Sequence, residues 1–345
     1  MQRVDIPGQL RRSVVMIGEP LGNLPSHAAV ERLIIVTDET VFKLYGQSFP
    51  PVPVIRIASG EACKTLDTVS LIYRGLLEQE ADRGSCLVAV GGGLVCDVAG
   101  FAASTYLRGI AFGCVPTTLL AQVDASVGGK NGVNFDGYKN MIGTFNQPEF
   151  VLCDPDLLHS LPPEEIGCGL AEIVKHAAIA DQGMFELLED TAEAARRLDR
   201  PVIERLICES VRIKASIVTA DERESGERRK LNFGHTFGHA VERLCSVPHG
   251  RAVAQGMAVA SALSVQRGYL SEEGHQRLLK LLGRLDLPVR LDADPQELLP
   301  ILAKDKKRLG ESIHFVLLES IGKAVVEPID LEEIKTAAER LTGNG

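Results

Sequence analysis

Long apolar runs are absent from this 345-residue chain; the longest candidate, residues 86–104, is broken by four glycines and by Asp97, so no stretch reads as a membrane span. The first eight residues lack the apolar core of a secretory signal, and export is not expected. Cysteine occurs eight times but never as a CxxC pair or a tight cluster. That argues against a structural zinc knuckle or a disulfide frame and leaves reduced thiols in a cytosolic protein. Positive charge is in deficit, with 37 Lys and Arg against 46 Asp and Glu and a net charge of −9. A broad nucleic-acid-binding surface is therefore not expected, and functional cations must be gathered locally. No repeat or low-complexity segment is present. What remains is an ordinary globular composition, 45% apolar and 24% charged, on a chain long enough for two domains with a site in the cleft between them.

Residues 1–155 alternate between short β-branched runs, such as Arg32-Leu-Ile-Ile-Val-Thr37 and Cys86-Leu-Val-Ala-Val90, and segments of helical periodicity. The alternation predicts a mostly parallel, Rossmann-like sheet covered by helices. Residues 156–345 form a second, mainly helical domain, with helices expected over 157–180, 184–198, 202–220, 232–245, 253–269 and 295–304. A strand pair is expected over 313–318 and 323–327, turning at Ile321-Gly322. The fold class is thus an α/β domain followed by an all-α-like one.

Gly91-Gly92-Gly93 directly follows the apolar run ending at Val90, with Asp97 one turn further on. Glycines at a strand's carboxyl end let backbone N–H groups approach a pyrophosphate, and a following helix amino terminus favours its charge. The spacing is not GxGxxG, so the triplet needs support. Asp38, after another strand, sits where an acid can meet a ribose hydroxyl; Glu61 and Lys64 share a turn, and Thr117 and Thr118 offer hydroxyls. Together they favour a dinucleotide. Arg108, Asp124, Lys130, Lys139 and Asn140 surround a glycine- and asparagine-rich stretch, read as a loop between buried segments at 115–123 and 141–145. Lysine on such a loop is placed to reach a phosphate. Lys214, Arg228, Asn232 and the Lys304-Asp305-Lys306-Lys307 run add cationic and polar candidates, which implies an anionic substrate with more than one charged group.

Three of the eight histidines fall within fifteen residues, in Leu231-Asn-Phe-Gly-His235-Thr-Phe-Gly-His239-Ala-Val-Glu242 and at His249. The i, i+4 spacing puts His235 and His239 on one helical face, which suits a divalent metal or a ligand beside a proton carrier. Glu172, with Lys175 at i+3, completes a His2Glu set with His235 and His249 of the kind catalytic zinc uses. His176 and His239 compete for the ligand role, with His239 preferred as a proton carrier because histidine titrates in the working range. Glu224 is a further candidate to orient or accept a proton.

Taken in order, Gly91 to Asp97, Arg108-Gly109-Ile110, Pro116 to Asp124, Gly128 to Asn134, Lys139-Asn140, Glu172, Lys175, Leu231 to His239, His249-Gly250 and Asp305 to Lys307 resemble the 3-dehydroquinate synthase family of sugar phosphate cyclases. The resemblance implies conversion of 3-deoxy-D-arabino-heptulosonate 7-phosphate to 3-dehydroquinate and phosphate. The steps would be transient oxidation by NAD, phosphate elimination, re-reduction, ring opening and an intramolecular aldol. It implies a divalent metal, zinc or alternatively cobalt, on Glu172, His235 and His249. Substrate would meet Arg108, Asp124, Lys130, Asn140, Lys175, Lys214, Arg228, Asn232, His239 and Lys306 or Lys307. NAD would meet Asp38, Glu61, Lys64, Gly92, Gly93, Asp97, Thr117, Thr118 and Lys139, and a homodimer is implied as the usual state. Three positions depart from the family pattern: Arg251 where glutamate is usual, Glu164 where arginine is common, and Cys168 where a small or amide residue is frequent. The rivals are another sugar phosphate cyclase, disfavoured by Lys214, Arg228 and Asn232, and a metal-dependent polyol dehydrogenase, which needs fewer converging cations.

Overall fold

The computed structural model describes residues 1–8, 12–28, 32–291, 293–302, 308–309 and 312–341, with backbone alone at 308, 309 and 312. Lys306, and with it Lys304, Asp305 and Lys307, lies outside the described residues. The chain divides into two compact units, one of residues 1–161 with Lys214–Glu222, the other of 162–213 with 223–345.

The first unit begins with an antiparallel pair, β1 (Gln2–Ile6) and β2 (Ser13–Ile17), followed by β3 (Arg32–Asp38), α1 (Glu39–Tyr45), β4 (Val54–Ile57) and α2 (Leu66–Glu78). Next come β5 (Ser85–Gly91), α3 (Gly93–Thr105), β6 (Ala111–Pro116), the hairpin β7 (Lys130–Phe135) and β8 (Tyr138–Phe145), and β9 (Phe150–Cys153). Seven strands make one sheet in the order β1-β2-β9-β6-β5-β3-β4, parallel from β2 onward. Every residue of β5 is buried, as a central strand covered on both faces requires, which is why its sequence is continuously apolar rather than alternating. α2 turns Val69, Ile72 and Leu76 inward at helical spacing, and Thr65 caps it by accepting from the Thr68 amide. The core runs through Leu33, Ile35, Val88, Val90, Val115 and Leu152. From β3 the chain steps outward to β4 and then returns to the other side of β3 as β5, so the strand order reverses between β3 and β5. Open parallel sheets bind ligands outside the carboxyl ends of the strands at such a reversal.

The second unit contains α4 (Pro163–Ala180), α5 (Gln182–Arg196), most of α6 (Arg200–Ala220), α7 (His235–Cys245), α8 (His249–Gln266), α9 (Glu272–Arg284) and α10 (Pro295–Leu302). An antiparallel sheet of β10 (Arg308–Leu309), β11 (Ser312–Ser320) and β12 (Lys323–Asp330), then α11 (Leu331–Glu339), complete it. α8 is buried from Ala252 to Ser264. The strand pair forms where the sequence predicts it, longer at its ends.

Three expectations differ from the structure. A single division between 155 and 156 does not describe the chain: the 3-10 turn Pro155–Ser160 stays with the first unit because Leu157 belongs to that unit's core, and Lys214–Glu222 joins it too. The expected helix from 157 starts only at Pro163, since proline favours the first helical turn and Pro162 before it is extended. The glycine- and asparagine-rich stretch is not a loop. Gly128 and Gly129 turn the chain with positive φ, and the next residues pair as β7 and β8 around Asp136-Gly137, both also at positive φ, the two-residue turn that fits strand twist. Residues 141–145 are correspondingly not buried: Met141 is 39% and Phe145 46% exposed.

Candidate functional site

In the first unit, the expected dinucleotide contacts other than Lys139 follow the carboxyl ends of four parallel strands. Asp38 ends β3, where its Oδ1 accepts from the Thr40 and Val41 amides and from Ser59 Oγ, at 2.8, 3.0 and 3.0 Å. One oxygen thus caps α1, which leaves Oδ2 for a ligand. Gly92 and Gly93 open α3 with no side-chain cap and no acid in the first turn, so its amide groups are available to an anion. Thr117 donates its amide to the Gly91 carbonyl at 2.9 Å, and Thr118 Oγ1 accepts from the Ala121 amide at 3.1 Å. A reversal of strand order lined by an acid and an uncapped glycine helix start fits a dinucleotide.

A polar network ties this edge to the hairpin. Lys64 Nζ donates to Asp97 Oδ2 at 2.5 Å and to Asn140 Oδ1 at 2.6 Å. The Asn140 amide, itself at φ 51°, donates to Asn134 Oδ1, and Asn134 Nδ2 donates to Glu61 Oε1 at 2.8 Å. Burial lifts the Asp97 carboxyl from 3.8 to about 6, against the opposing pull of Lys64. Asp124 stands in a single π-helical turn, Ala121–Ala125, and Lys214 Nζ donates both to its Oδ1 and to its carbonyl at 2.6 Å. Lys130 and Lys139 are exposed at the start of β7 and on β8. Arg108 stands apart from these. It lies between the end of α3 and the start of β6, whose Ala111 pairs with Cys86 at the beginning of β5, so it belongs to the opposite edge of the sheet from Gly91. The 13 residues of α3 separate the two by about 20 Å. Leu107, Arg108 and Gly109 all have positive φ, 50°, 69° and 118°. Two consecutive non-glycine residues in that region store of order 1–2 kcal/mol each, and Arg108 itself is exposed.

In the second unit, Glu172 on α4, His235 at the first position of α7 and His249 at the first position of α8 offer donor atoms that all lie within 4.8 Å of one another. Glu172 is fully buried; Lys175, one turn later, ion-pairs with its Oε2. Oε1 faces His235 Nε2 at 3.4 Å and His249 Nε2 at 3.3 Å. Ligand atoms around tetrahedral zinc, with bonds of about 2.1 Å, are separated by about that distance. Burial holds His235 well below the usual histidine value, so its ring is neutral. Its Nδ1 lies 3.2 Å from the Phe233 carbonyl, which requires the proton on Nδ1 and leaves a bare lone pair on Nε2 facing a carboxylate oxygen. A cation reconciles those two lone pairs. For His249, burial opposes charge, but hydrogen bonds to Glu172 and Glu242 outweigh it and raise the ring to about 9.

The packing beneath this cluster is backbone against backbone. A Cβ on Gly256 of α8 would stand 1.8 Å from the Gly234 carbonyl oxygen just before α7, and one on Gly250 would stand 2.4 Å from Cys168 Cα on α4. Cys168 Sγ accepts from the Gly250 amide at 3.2 Å, and burial pushes its thiol up to about 11. Of the competing histidines, His176 offers a donor atom within 4.8 Å of a Glu172 carboxylate oxygen and pairs its Nδ1 with Ser210 Oγ at 2.5 Å, while His239 is exposed, its ring 5.4 Å from that of His235. Asn232 Nδ2 donates to Glu224 Oε1 at 2.7 Å, and Arg228 is buried in the turn before α7. Glu164 is exposed in the first turn of α4, where a negative charge is favourable, and Arg251 is half-buried in the first turn of α8. Sequence reasoning missed Glu242, whose Oε2 lies 3.4 Å from His249 Nδ1. Its signal is present: 235, 239 and 242 follow helical spacing on one face.

Models of the N-terminal and C-terminal parts of 3-dehydroquinate synthase match residues 54–168 and 169–308. The 3-dehydroquinate synthase of Halorhodospira halophila (strain DSM 244 / SL1) is 45% identical over 313 residues, 88% of each chain. Among solved structures, 2-epi-5-epi-valiolone synthase from Streptomyces hygroscopicus subsp. jinggangensis 5008, with NAD+ and Zn2+ bound, is similar at TM-score 0.88 and 31% identity, covering 99% of both chains. A 2-deoxy-scyllo-inosose synthase complexed with carbaglucose-6-phosphate, NAD+ and Co2+ is similar at TM-score 0.85 and 28% identity, covering 98% of this chain and 100% of that one.

Proposed function

Because the chain belongs to the 3-dehydroquinate synthase family, we propose that it converts 3-deoxy-D-arabino-heptulosonate 7-phosphate to 3-dehydroquinate and phosphate. It is an enzyme that works with NAD and a divalent metal, and the elimination of phosphate makes it a carbon–oxygen lyase. The observation that carries the reading is the buried Glu172 oxygen faced by two imidazole Nε2 atoms, the donor set of a catalytic divalent ion. When bound, NAD accepts and returns a hydride while the ion polarises the hydroxyl from which the hydride comes.

The chain's own residues bind and orient. Glu172, His235 and His249 would hold zinc or cobalt, and the crevice between β3 and β5 would hold NAD through Asp38, Lys64, Gly92, Gly93 and Asp97. Lys130, Lys175, Lys214 and Arg228, with Asn140 and Asn232, are the groups we assign to the substrate's carboxylate, phosphate and hydroxyls. Positioned cations supply most of what the steps after oxidation need, because alignment alone removes much of their barrier. His239, exposed on the ligand-bearing face of α7, is the proposed proton carrier, with Glu224 steering Asn232. A homodimer belongs to the same proposal. It is supported by the exposed apolar residues of the β7–β8 hairpin, with Phe135 51% and Tyr138 56% accessible, and by Arg108, which could meet a substrate beyond its own sheet edge in a second copy. A cytosolic location suits the eight free thiols.

Phosphate release measured with the heptulosonate phosphate and with sedoheptulose 7-phosphate tests the function. Release from the carboxylated substrate alone, without net NADH, is expected. Turnover of sedoheptulose 7-phosphate alone would move the chain to another cyclase, and stoichiometric NADH would make it a dehydrogenase.

A further inference from the structure

The two histidines of the metal cluster are held in different ways. His235 rests its Nδ1 on a neutral group, the Phe233 carbonyl, at 3.2 Å. His249 rests its Nδ1 on a carboxylate, Glu242 Oε2, at 3.4 Å, while its Nε2 faces Glu172 Oε1. Glu242 stands seven residues after His235 on α7, two turns along the same face, and its side chain is 20% exposed. One helix therefore carries both a ligand and the group that holds the next helix's ligand.

We infer that Glu242 is a positioning residue that turns His249 toward the metal and makes it the stronger donor of the two imidazoles. A carboxylate accepting from Nδ1 fixes the proton there, leaves Nε2 as the metal-binding atom and adds electron density to the ring. A carbonyl does the first two and little of the third. The second carboxylate also bears on charge. Glu172 shares its own charge with Lys175, so a divalent ion at Oε1 meets only part of a negative charge there, and Glu242 supplies more through His249. The inference rests on Glu172, His235 and His249 being the metal ligands.

The test is titration of the metal-free protein with Co2+, without NAD or substrate, followed by visible absorption and by competition with a chelator. Glu242→Ala should bind Co2+ about 10- to 100-fold more weakly than wild type with a shifted absorption band. Glu242→Gln, which still accepts from Nδ1 but lacks the charge, should fall between them. Thermal unfolding of the metal-free proteins identifies a variant that has lost its fold. If Glu242→Ala proves unfolded, Glu242→Gln decides alone. Wild-type affinity and spectrum in a folded Glu242→Ala, or in Glu242→Gln when it decides alone, overturn the inference. His235→Ala serves as the control: if it loses Co2+ while the Glu242 variants do not, only the role of Glu242 fails, whereas if it retains Co2+ fully the metal reading itself fails.

Discussion

The two units carry their charges by opposite means. In the first, polar groups sit where strands end and satisfy one another through side chains: Lys64 joins Asp97 to Asn140, and Asn134 joins that pair to Glu61. In the second, Glu172, His235 and His249 stand on three helices whose backbones touch, with almost no solvent at the carboxylate. A side-chain network tolerates exchange of partners, as the cofactor surface proposed for this unit would require. A cluster fixed by backbone contact has no such freedom, and a metal site, whose donors must hold position to a few tenths of an ångström, needs none.

The sharpest way to break the comparison is Gly256→Ala. The added carbon meets a backbone oxygen rather than a flexible side chain, so relief requires α7 and α8 to part. A loss of about 3 kcal/mol in chemical denaturation is expected, with weakened Co2+ binding and unchanged NAD binding in the protein that remains folded. Small effects on stability and metal together would show that the helices can yield.

Asp97→Asn probes the other unit. Its carboxyl titrates at about 6 in the folded chain, above its ordinary 3.8. Such a group holds its proton more tightly folded than unfolded, so the stability it contributes is complete below about pH 4 and is lost as the pH rises through about 6. Relative to the variant, the wild type should lose at most about 3 kcal/mol across that window, read from urea titrations at several pH values. NAD affinity should fall in the variant while Co2+ affinity stays constant. Parallel stability curves would refute the assignment.

The smallest effect is expected at Cys168. Its sulfur accepts one amide bond, a task serine can perform, so Cys168→Ser should cost under about 1 kcal/mol by the same denaturation measurement. A larger loss would mean that the bulk of the thiol, and not its acceptor, holds α8 in place.

What could be read from sequence follows the same division. The apolar run of β5, the glycines after it and the acid ending β3 are local signals, and the structure places them where strand order reverses. The metal trio is spread over seventy-eight positions from Glu172 to His249, and periodicity alone left His176 and His239 in contention. The fold adds what spacing lacks: His235 and His249 both face Glu172 Oε1, His176 keeps one donor near Glu172 and gives its Nδ1 to Ser210, and His239 is exposed. The β7–β8 hairpin escaped because lysines, glycines and asparagines suggested a loop, although Asp136-Gly137 between pairing runs was the signal to weigh. The return of Lys214–Glu222 to the first unit has no local signature, since α6 is continuous in sequence and in structure. Glu242 was visible as spacing but not as a partner, because its histidine lies on the next helix.

The glycines under the metal cluster bear on how this protein could be redesigned. Exchanging the three proposed ligands to admit a different ion is a change of side chains alone. Gly250 and Gly256 present no side chain to exchange, yet they set how near the ligand-bearing helices approach. Attempts to retool the centre should therefore leave these two positions unaltered and seek variation at strand ends in the other unit, where hydrogen-bonded side chains can be replaced one for another.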